Sequence, residues 1–200
     1  MGHRGGRGIA PKVLIAAYCQ GYFPMADPQT GEIAWYSPDP RTIIELDGLK
    51  VSRSLRQTMK KGLFDVRVDT AFEDVLRGCA AREETWISDE IVESYLALSR
   101  LGLAHSVECW TSAGLAGGLY GVSIGGAFFG ESMFSRERDA SKVALVVLVE
   151  RLRSRGYQLL DTQFSTPHLA RLGAVEIARA EYLRRLDRAI RTVCSFSSDD

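Results

Sequence analysis

The stretch Gly117 to Leu145, GGLYGVSIGGAFFGESMFSRERDASKVAL, decides the fold. Its first half carries apolar residues on both sides of Gly125-Gly126, a two-residue turn signal between paired strands. It then passes through the charged segment SRERDA into ASKVALVVLVERLRSR. The centre of that helix, Val143 to Val149, is apolar all round, so it must be buried on most sides. Asp139 or Ser141 is expected to cap it, and Gly156 to end it. Upstream, HSVECWT supplies a third antiparallel strand; downstream, YQLLDTQF supplies a further one. Antiparallel strands, a buried helix and another strand make an α+β fold with a mixed, mostly antiparallel sheet. The glycines at 117, 118, 121, 125, 126 and 130 weaken strands, and their gain is close approach of backbone to something, which suggests a ligand.

Outward from this centre the signals are weaker. Pro11 to Gln20 reads as a helix stopped by Gly21, with Pro in its first turn. The following segment, GYFPMADPQTGEIAWYSPDPR, holds four of the chain's six prolines and reads as turn-rich, packed down by Tyr22, Phe23, Trp35 and Tyr36. Arg41 to Leu46 reads as a strand, Ser52 to Lys61 as a helix with Ser52 as N-cap, and Phe64 to Val68 as a half-buried strand of period two. Ala71 to Ala81 and Asp89 to Leu101 are helical, the second closed by Gly102. A short helix HLARLG, a last strand and a terminal helix complete the chain, with Arg184, Arg185, Arg188 and Arg191 on the wet side of that helix. A small N-terminal α/β domain over residues 1–60 and a larger one over 61–200 are expected.

Composition bounds the function. The chain has 25 basic and 25 acidic residues, so any nucleic-acid binding must come from local clustering of charge. Cys19, Cys79, Cys109 and Cys194 show no paired spacing and read as reduced thiols. His3, His105 and His168 leave little for a metal site. No run approaches the roughly 20 apolar residues of a membrane span, and MGHRGGRG reads as a flexible basic arm rather than a secretory signal. A soluble, cytoplasmic protein is expected.

Three constellations carry chemistry. Asp161 and Gln163 share one face of a strand, either turning outward into solvent or facing a cleft with their polar groups paired. Glu131 stands between Phe128-Phe129 and Met133-Phe134, on an exposed face or as the partner of a cation. Ser132 and Ser135 read as turn and cap hydroxyls, and Lys142 as a solvated first-turn residue or a phosphate ligand. Arg53, Arg56 and Lys60 share a helical face, continued by Lys61 and preceded by Lys50; this is either a solvated face or a phosphate-contacting surface.

The strand order suits an acyltransferase of the acetyl-CoA-dependent, GNAT-like type. That fold holds pyrophosphate on a glycine-bearing loop at the helix start, and SRERDA has no glycine and two acids, so the architecture fits and acetyl-CoA does not. The motifs AYCQGYFPM, WYSPDPR, SRSLRQ, TWI, AHSVECW, LAGGLYGV, FFGESMFS, ASKVAL, LLDTQ and HLARLGA, in this order over most of the chain, resemble the leucyl/phenylalanyl-tRNA–protein transferase family. The resemblance implies a small N-terminal domain and a GNAT-like C-terminal domain. It implies transfer of Leu or Phe, and sometimes Met, from aminoacyl-tRNA to the N-terminal Arg or Lys of a protein, which marks that protein for degradation. No cofactor, metal or membrane is implied.

The same resemblance assigns residues. Asp161 would orient and polarise Gln163, which draws on the attacking amine, and Glu131 would hold the cationic acceptor. Leu119, Phe128, Leu145, Leu148 and Leu160 would line the aminoacyl pocket, with Gly117, Gly118, Gly121 and Gly130 admitting the terminal adenosine and Trp86 beside it. Arg53, Arg56, Lys60 and Lys61 would meet tRNA phosphates. Two departures are visible: longer family members have more residues before AYCQGYFPM, and Met25 stands where an aromatic is usual. Two other readings remain: another N-acyltransferase that uses acyl-CoA or an aminoacyl-tRNA for a small amine, and a non-catalytic module that binds tRNA or N-terminal degradation signals.

Overall fold

The computed structural model describes residues 8–82 and 84–197; residues 1–7 of the basic arm lie outside them. At the centre, β5 (Ala104–Thr111), β6 (Gly114–Ile124) and β7 (Ala127–Ser135) form an antiparallel meander. Gly125 turns the β6–β7 hairpin at φ +55°, and a Cβ there would lie 2.4 Å from the Ile190 carbonyl oxygen, so the turn demands glycine. Helix α5 (Ala140–Ser154) crosses over to β8 (Leu159–Gln163), which pairs parallel with β7. A parallel pair requires such a crossover.

On the far side of β8 lie β3 (Arg41–Ile44) and β9 (Val175–Ile177), and β4 (Asp65–Val68) borders β5. The order is β4-β5-β6-β7-β8-β3-β9, and β7–β8 is the parallel pair in an otherwise antiparallel sheet. The architecture is α+β with a mixed, mostly antiparallel sheet, as expected. Segment 41–44, though early in the chain, is hydrogen-bonded into this large sheet.

The sheet divides the core. On one side α5 covers Leu119, Phe128 and Leu160 with Leu145, Leu148, Val149 and Leu152, as its all-round apolar centre requires. On the other side α1 (Pro11–Cys19), α3 (Phe72–Ala80), α4 (Asp89–Arg100) and α7 (Arg179–Ile190) enclose Tyr120, Val122, Phe129 and Leu159. Neighbours such as Leu119 and Tyr120 face opposite clusters, the period-two alternation of a strand buried on both faces. Two further short helices, α2 (Arg53–Lys60) and α6 (Pro167–Arg171), lie at the α5 side of the molecule.

Three expectations are corrected. The turn-rich segment contains an antiparallel hairpin, β1 (Phe23–Ala26) with β2 (Ile33–Tyr36). Of its aromatics, Phe23 is buried, whereas Tyr22, Trp35 and Tyr36 are 44%, 40% and 41% exposed; Trp35 and Tyr36 point to opposite faces of β2, which is exposed on both. Neither Asp139 nor Ser141 caps α5 by its side chain: Asp139 sits at φ +69°, outside the extended conformation a capping residue adopts, and its carboxylate takes Lys142 Nζ at 2.7 Å. Ser135 Oγ supplies the missing acceptor, to the Ser141 N–H at 2.9 Å. Ser52 does cap α2, accepting from the Leu55 N–H. Among the described residues no helix is long and apolar enough to cross a membrane.

Candidate active site

The pairing of β7 with β8 stops at Phe129–Asp161, while β7 continues along β6 to Ser135. Beyond that point the parallel strands part, and the opening holds Glu131 and Gln163. Glu131 owes its position to an irregularity. Tyr120 pairs with Ser132 and Gly121 with Gly130, so Glu131 is the extra residue of a β-bulge. A bulge re-aims side chains, and here it also exchanges faces. Phe129 packs on the α4 side, whereas Met133, which regular alternation would put beside it, packs on the α5 side.

The Glu131 carboxylate is 8% exposed. Oε1 accepts from Tyr18 Oη at 2.7 Å and from Gln163 Nε2 at 2.8 Å, and Oε2 accepts from Tyr95 Oη at 2.9 Å. The two tyrosine hydroxyls also touch each other, one from α1 and one from α4. Burial pushes the Glu131 pKa up to about 7, against the pull of the tyrosine and Gln163 hydrogen bonds and with the Asp161 charge adding to the rise. The carboxylate makes no ion pair among the described residues. It is a buried acid that titrates near neutrality and has no cation of its own.

Asp161, by contrast, has a cation of its own. It is fully buried, and its oxygens accept from Arg41 Nε at 2.9 Å, Arg41 Nη2 at 2.6 Å, Tyr182 Oη at 2.8 Å and the Gln163 N–H at 2.9 Å. With four donors on two oxygens it has no lone pair to spare. Arg41 is itself enclosed, donating Nη1 to the Gly21 carbonyl and lying 4.8 Å from the Phe23 ring centroid and 4.4 Å from that of Tyr182. Burial opposes the Arg41 charge, but Asp161 beside it holds its pKa above the ordinary guanidinium value.

Gln163 links the two acids. Its φ is +68°, the left-handed region that a non-glycine residue occupies at a cost of roughly 1–3 kcal/mol. The Asp161 carboxylate pins the backbone N–H of this strained residue, and its side-chain amide reaches Glu131. Asp161 thus meets Gln163 through the main chain, not through its side-chain amide. The alternative of a strand end turned into solvent is excluded, since Asp161 is 0% and Gln163 5% exposed.

A cavity of about 660 Å³ opens beside this network. Leu119, Leu145, Leu148 and Leu160 form apolar wall, Gly130 and Glu131 border it, and Arg82 and Arg136 also line it. Of the expected pocket residues, Phe128 does not line the cavity: it is fully buried beneath the sheet and stacks on Phe196 at 5.2 Å. Trp86 is also not part of the lining and packs against the α4-side core. Gly117 and Gly118 are absent from the lining too, because their missing side chains serve protein packing. A Cβ at Gly117 would lie 2.7 Å from the Phe134 carbonyl oxygen, and one at Gly118 2.7 Å from that of Val107. Gly121 is likewise filled, by the Phe129 carbonyl and the Phe128 ring. The crowding read from these glycines is internal to the fold.

Arg53, Arg56, Lys60 and Lys61 stand exposed on α2 and just past it, without ion pairs among the described residues. A second buried carboxylate of the meander, Glu108, is absorbed by the Thr70 and Ala71 N–H groups and the Ser106 and Thr70 hydroxyls. No cluster of His, Cys, Asp and Glu able to hold a metal occurs among the described residues. Sequence reasoning missed Arg41, Tyr18, Tyr95 and Tyr182. Arg41 alone left a signal, a charge at the start of the strand RTIIEL, next to its apolar centre Ile43-Ile44.

Antiparallel meander, helical crossover and a buried polar network where the parallel strands part define an α+β protein with a candidate active site at the strand divergence. The chain belongs to the leucyl/phenylalanyl-tRNA protein transferase family: the family model matches residues 43–187, and that of the family's N-terminal domain matches residues 8–39. A leucyl/phenylalanyl-tRNA–protein transferase of Rubrobacter xylanophilus is 58% identical over 94% of this chain and 99% of the relative. Proteins of the same description from Gloeobacter violaceus and Herpetosiphon aurantiacus are 53% and 54% identical, each over 94% of this chain and over 97% and 98% of their own length. The solved structure of L-PGS from Bacillus licheniformis is a distant likeness, with a TM-score of 0.42 and 14% identity over 82% of this chain and 56% of that one.

Proposed function

We propose that this chain transfers Leu or Phe, with Met as a third donor, from aminoacyl-tRNA to the α-amine of a protein beginning with Arg or Lys. The observation that carries the reading is the unpaired buried carboxylate of Glu131, joined to Gln163 and bordering a cavity of about 660 Å³ with one apolar wall. The leucine wall suits a Leu or Phe side chain, and an anion lacking a cation suits an acceptor whose first residue is Arg or Lys.

In the reaction the amine lone pair forms a bond to the ester carbonyl carbon, the carbon–oxygen bond to the ribose breaks, and the amine proton ends on the released ribose hydroxyl. An ester converted to an amide runs downhill without ATP. An α-amine titrates near pH ~8, so a weak, well-placed acceptor suffices. Gln163, whose amide nitrogen is committed to Glu131, presents its carbonyl oxygen to the amine. Glu131 holds the acceptor's positive charge. Asp161, saturated by donors, fixes the Gln163 backbone. Leu119, Leu145, Leu148 and Leu160 receive the aminoacyl side chain, with Phe128 supporting them from the core. Trp86 lies outside this cavity and keeps its proposed place beside the adenosine. Arg53, Arg56, Lys60 and Lys61 receive tRNA phosphates, which need charge and no base recognition.

Transfer of radiolabelled leucine from Leu-tRNA to a protein beginning with Arg, beside a Gly-ended control and without ATP or CoA, tests the reading. Label on the Arg protein alone supports it. Binding of tRNA without label on any acceptor identifies a non-catalytic binding module and overturns it.

A further inference from the structure

A second cavity, of about 610 Å³, adjoins the first and shares His168 with it. Its lining includes Lys50, Arg56, Lys142, His168 and Arg171, and no carboxylate. Three separate pieces of chain bring these groups together: the approach to α2, the first turn of α5, and α6. Elsewhere in the molecule Arg67, Arg77, Arg153, Arg184, Arg185 and Arg191 are each on a carboxylate. Lys50, Arg56 and Arg171 have no such partner among the described residues; Lys142 has Asp139. The local field is felt by His168, whose pKa is lowered by burial and by Lys142 and Arg171. Cations gathered around a concavity without counter-charge cost repulsion unless an anion occupies it.

We propose that this cavity is a phosphodiester subsite that takes the backbone of the donor's 3′-terminal nucleotides. The inference rests on the aminoacyl-transfer reading above. In a 3′-aminoacyl nucleotide the acyl group and the nearest phosphate are one nucleoside apart, and the two cavities are one residue apart, at His168. Arg56 lies both in this cavity and on the exposed basic face of α2, so the subsite continues toward Arg53, Lys60 and Lys61. Arg and Lys suit phosphate, Arg as a fork and Lys as a point charge. An acidic side chain of the acceptor protein offers the same charge, but it would not need to lie beside the donor's acyl cavity.

The test compares the wild type with K50A/R171A, two exposed positions outside the proposed transfer machinery. Three donors are used: leucyl-adenosine without phosphate, the leucyl ester of the trinucleotide CCA, and Leu-tRNA. The expected result is a tenfold or greater rise in KM for the CCA ester and Leu-tRNA, with kcat kept and leucyl-adenosine unaffected. The slope of log affinity against log salt for labelled, uncharged CCA falls by roughly 1.4 for the two cations removed. Equal loss with all three donors, or loss with Leu-tRNA alone, overturns the subsite. A rise in acceptor KM instead assigns the cavity to the acceptor protein and overturns it equally. If no donor supports transfer by the wild type, the functional reading has failed, and binding of labelled CCA to the two proteins still decides the subsite.

Discussion

The Arg41 guanidinium meets the Asp161 carboxylate through two hydrogen bonds, 2.9 and 2.6 Å long, with neither side chain exposed to solvent. The pair closes β3 against β8 behind the open part of the site, and the same carboxylate accepts the N–H of strained Gln163. Breaking a buried pair by removing one partner costs roughly 3–5 kcal/mol, so Arg41→Ala should unfold at much lower denaturant. Arg41→Lys is the informative variant. It keeps the charge but not the fork, so the fold should survive while Gln163 loses its fixed backbone. The expected outcome is a fall in kcat of tenfold or more with KM for Leu-tRNA nearly unchanged. A parallel rise in both KM values would show that the pair only supports the fold.

Glu131 makes stability depend on pH in a direction opposite to that of most carboxylates. Its pKa is about 7 in the folded chain, against an ordinary value of 4.5. Between these values the folded state holds a proton that the unfolded state has released, so its contribution is fully present below about pH 4.5 and lost as pH rises toward 7. Two and a half pKa units correspond to about 3 kcal/mol as an upper figure. Urea unfolding at pH 5 and pH 7.5 should show this loss in the wild type, and Glu131→Gln should lack it. An unchanged pH slope in the variant would remove Glu131 as its source. In transfer assays the same variant should lose its preference for Arg-ended over Gly-ended acceptors while still binding aminoacyl-tRNA.

Gln163 combines a positive φ with a side chain held at 2.8 Å from Glu131. Asn tolerates the left-handed region better than most residues, and it is one methylene shorter. Gln163→Asn should therefore keep the backbone and withdraw the amide from Glu131. Stability should fall by about 1–3 kcal/mol for the lost donor to a buried carboxylate, while kcat falls by about a hundredfold or more, the lower range for loss of a proton-handling group. Donor KM should move little. A variant that transfers leucine at the wild-type rate would exclude the Gln163 side chain from the chemistry.

What the sequence made legible was local. Ser52 announces α2, Gly102 stops α4, Gly125-Gly126 turns the hairpin, and the run Val143 to Val149 requires burial; each signal acts within a few residues. The chemistry at Asp161 and Glu131 is long-range. Arg41 and Asp161 are 120 residues apart, Tyr18 and Glu131 113, and no periodicity relates them. The bulge escaped for a different reason. FFGESMF reads equally well as regular alternation, and only pairing with Gly121 on β6 shows that Glu131 is the additional residue. The glycines misled because a missing Cβ is the same signal whether the approaching atom belongs to a ligand or, as at Gly117 and Gly118, to a neighbouring carbonyl.

Leu148 provides the test of the aminoacyl cavity. It projects from α5 into the lining, is 1% exposed, and faces the wall formed by Leu119 and Leu160. Replacing it with Phe adds bulk into the cavity rather than into closed core, so the packing penalty should stay near the low end of the roughly 1–3 kcal/mol expected for overfilling. The space lost is space a donor phenyl ring needs more than an isobutyl group does. Each methylene is worth ~1–3 kcal/mol of discrimination, so Leu148→Phe should lower kcat/KM for Phe-tRNA relative to Leu-tRNA by about tenfold or more. Leu148→Ala should shift the ratio the other way. If both variants change the two donors equally, the donor side chain lies elsewhere, and the apolar cavity beside Glu131 is not its pocket.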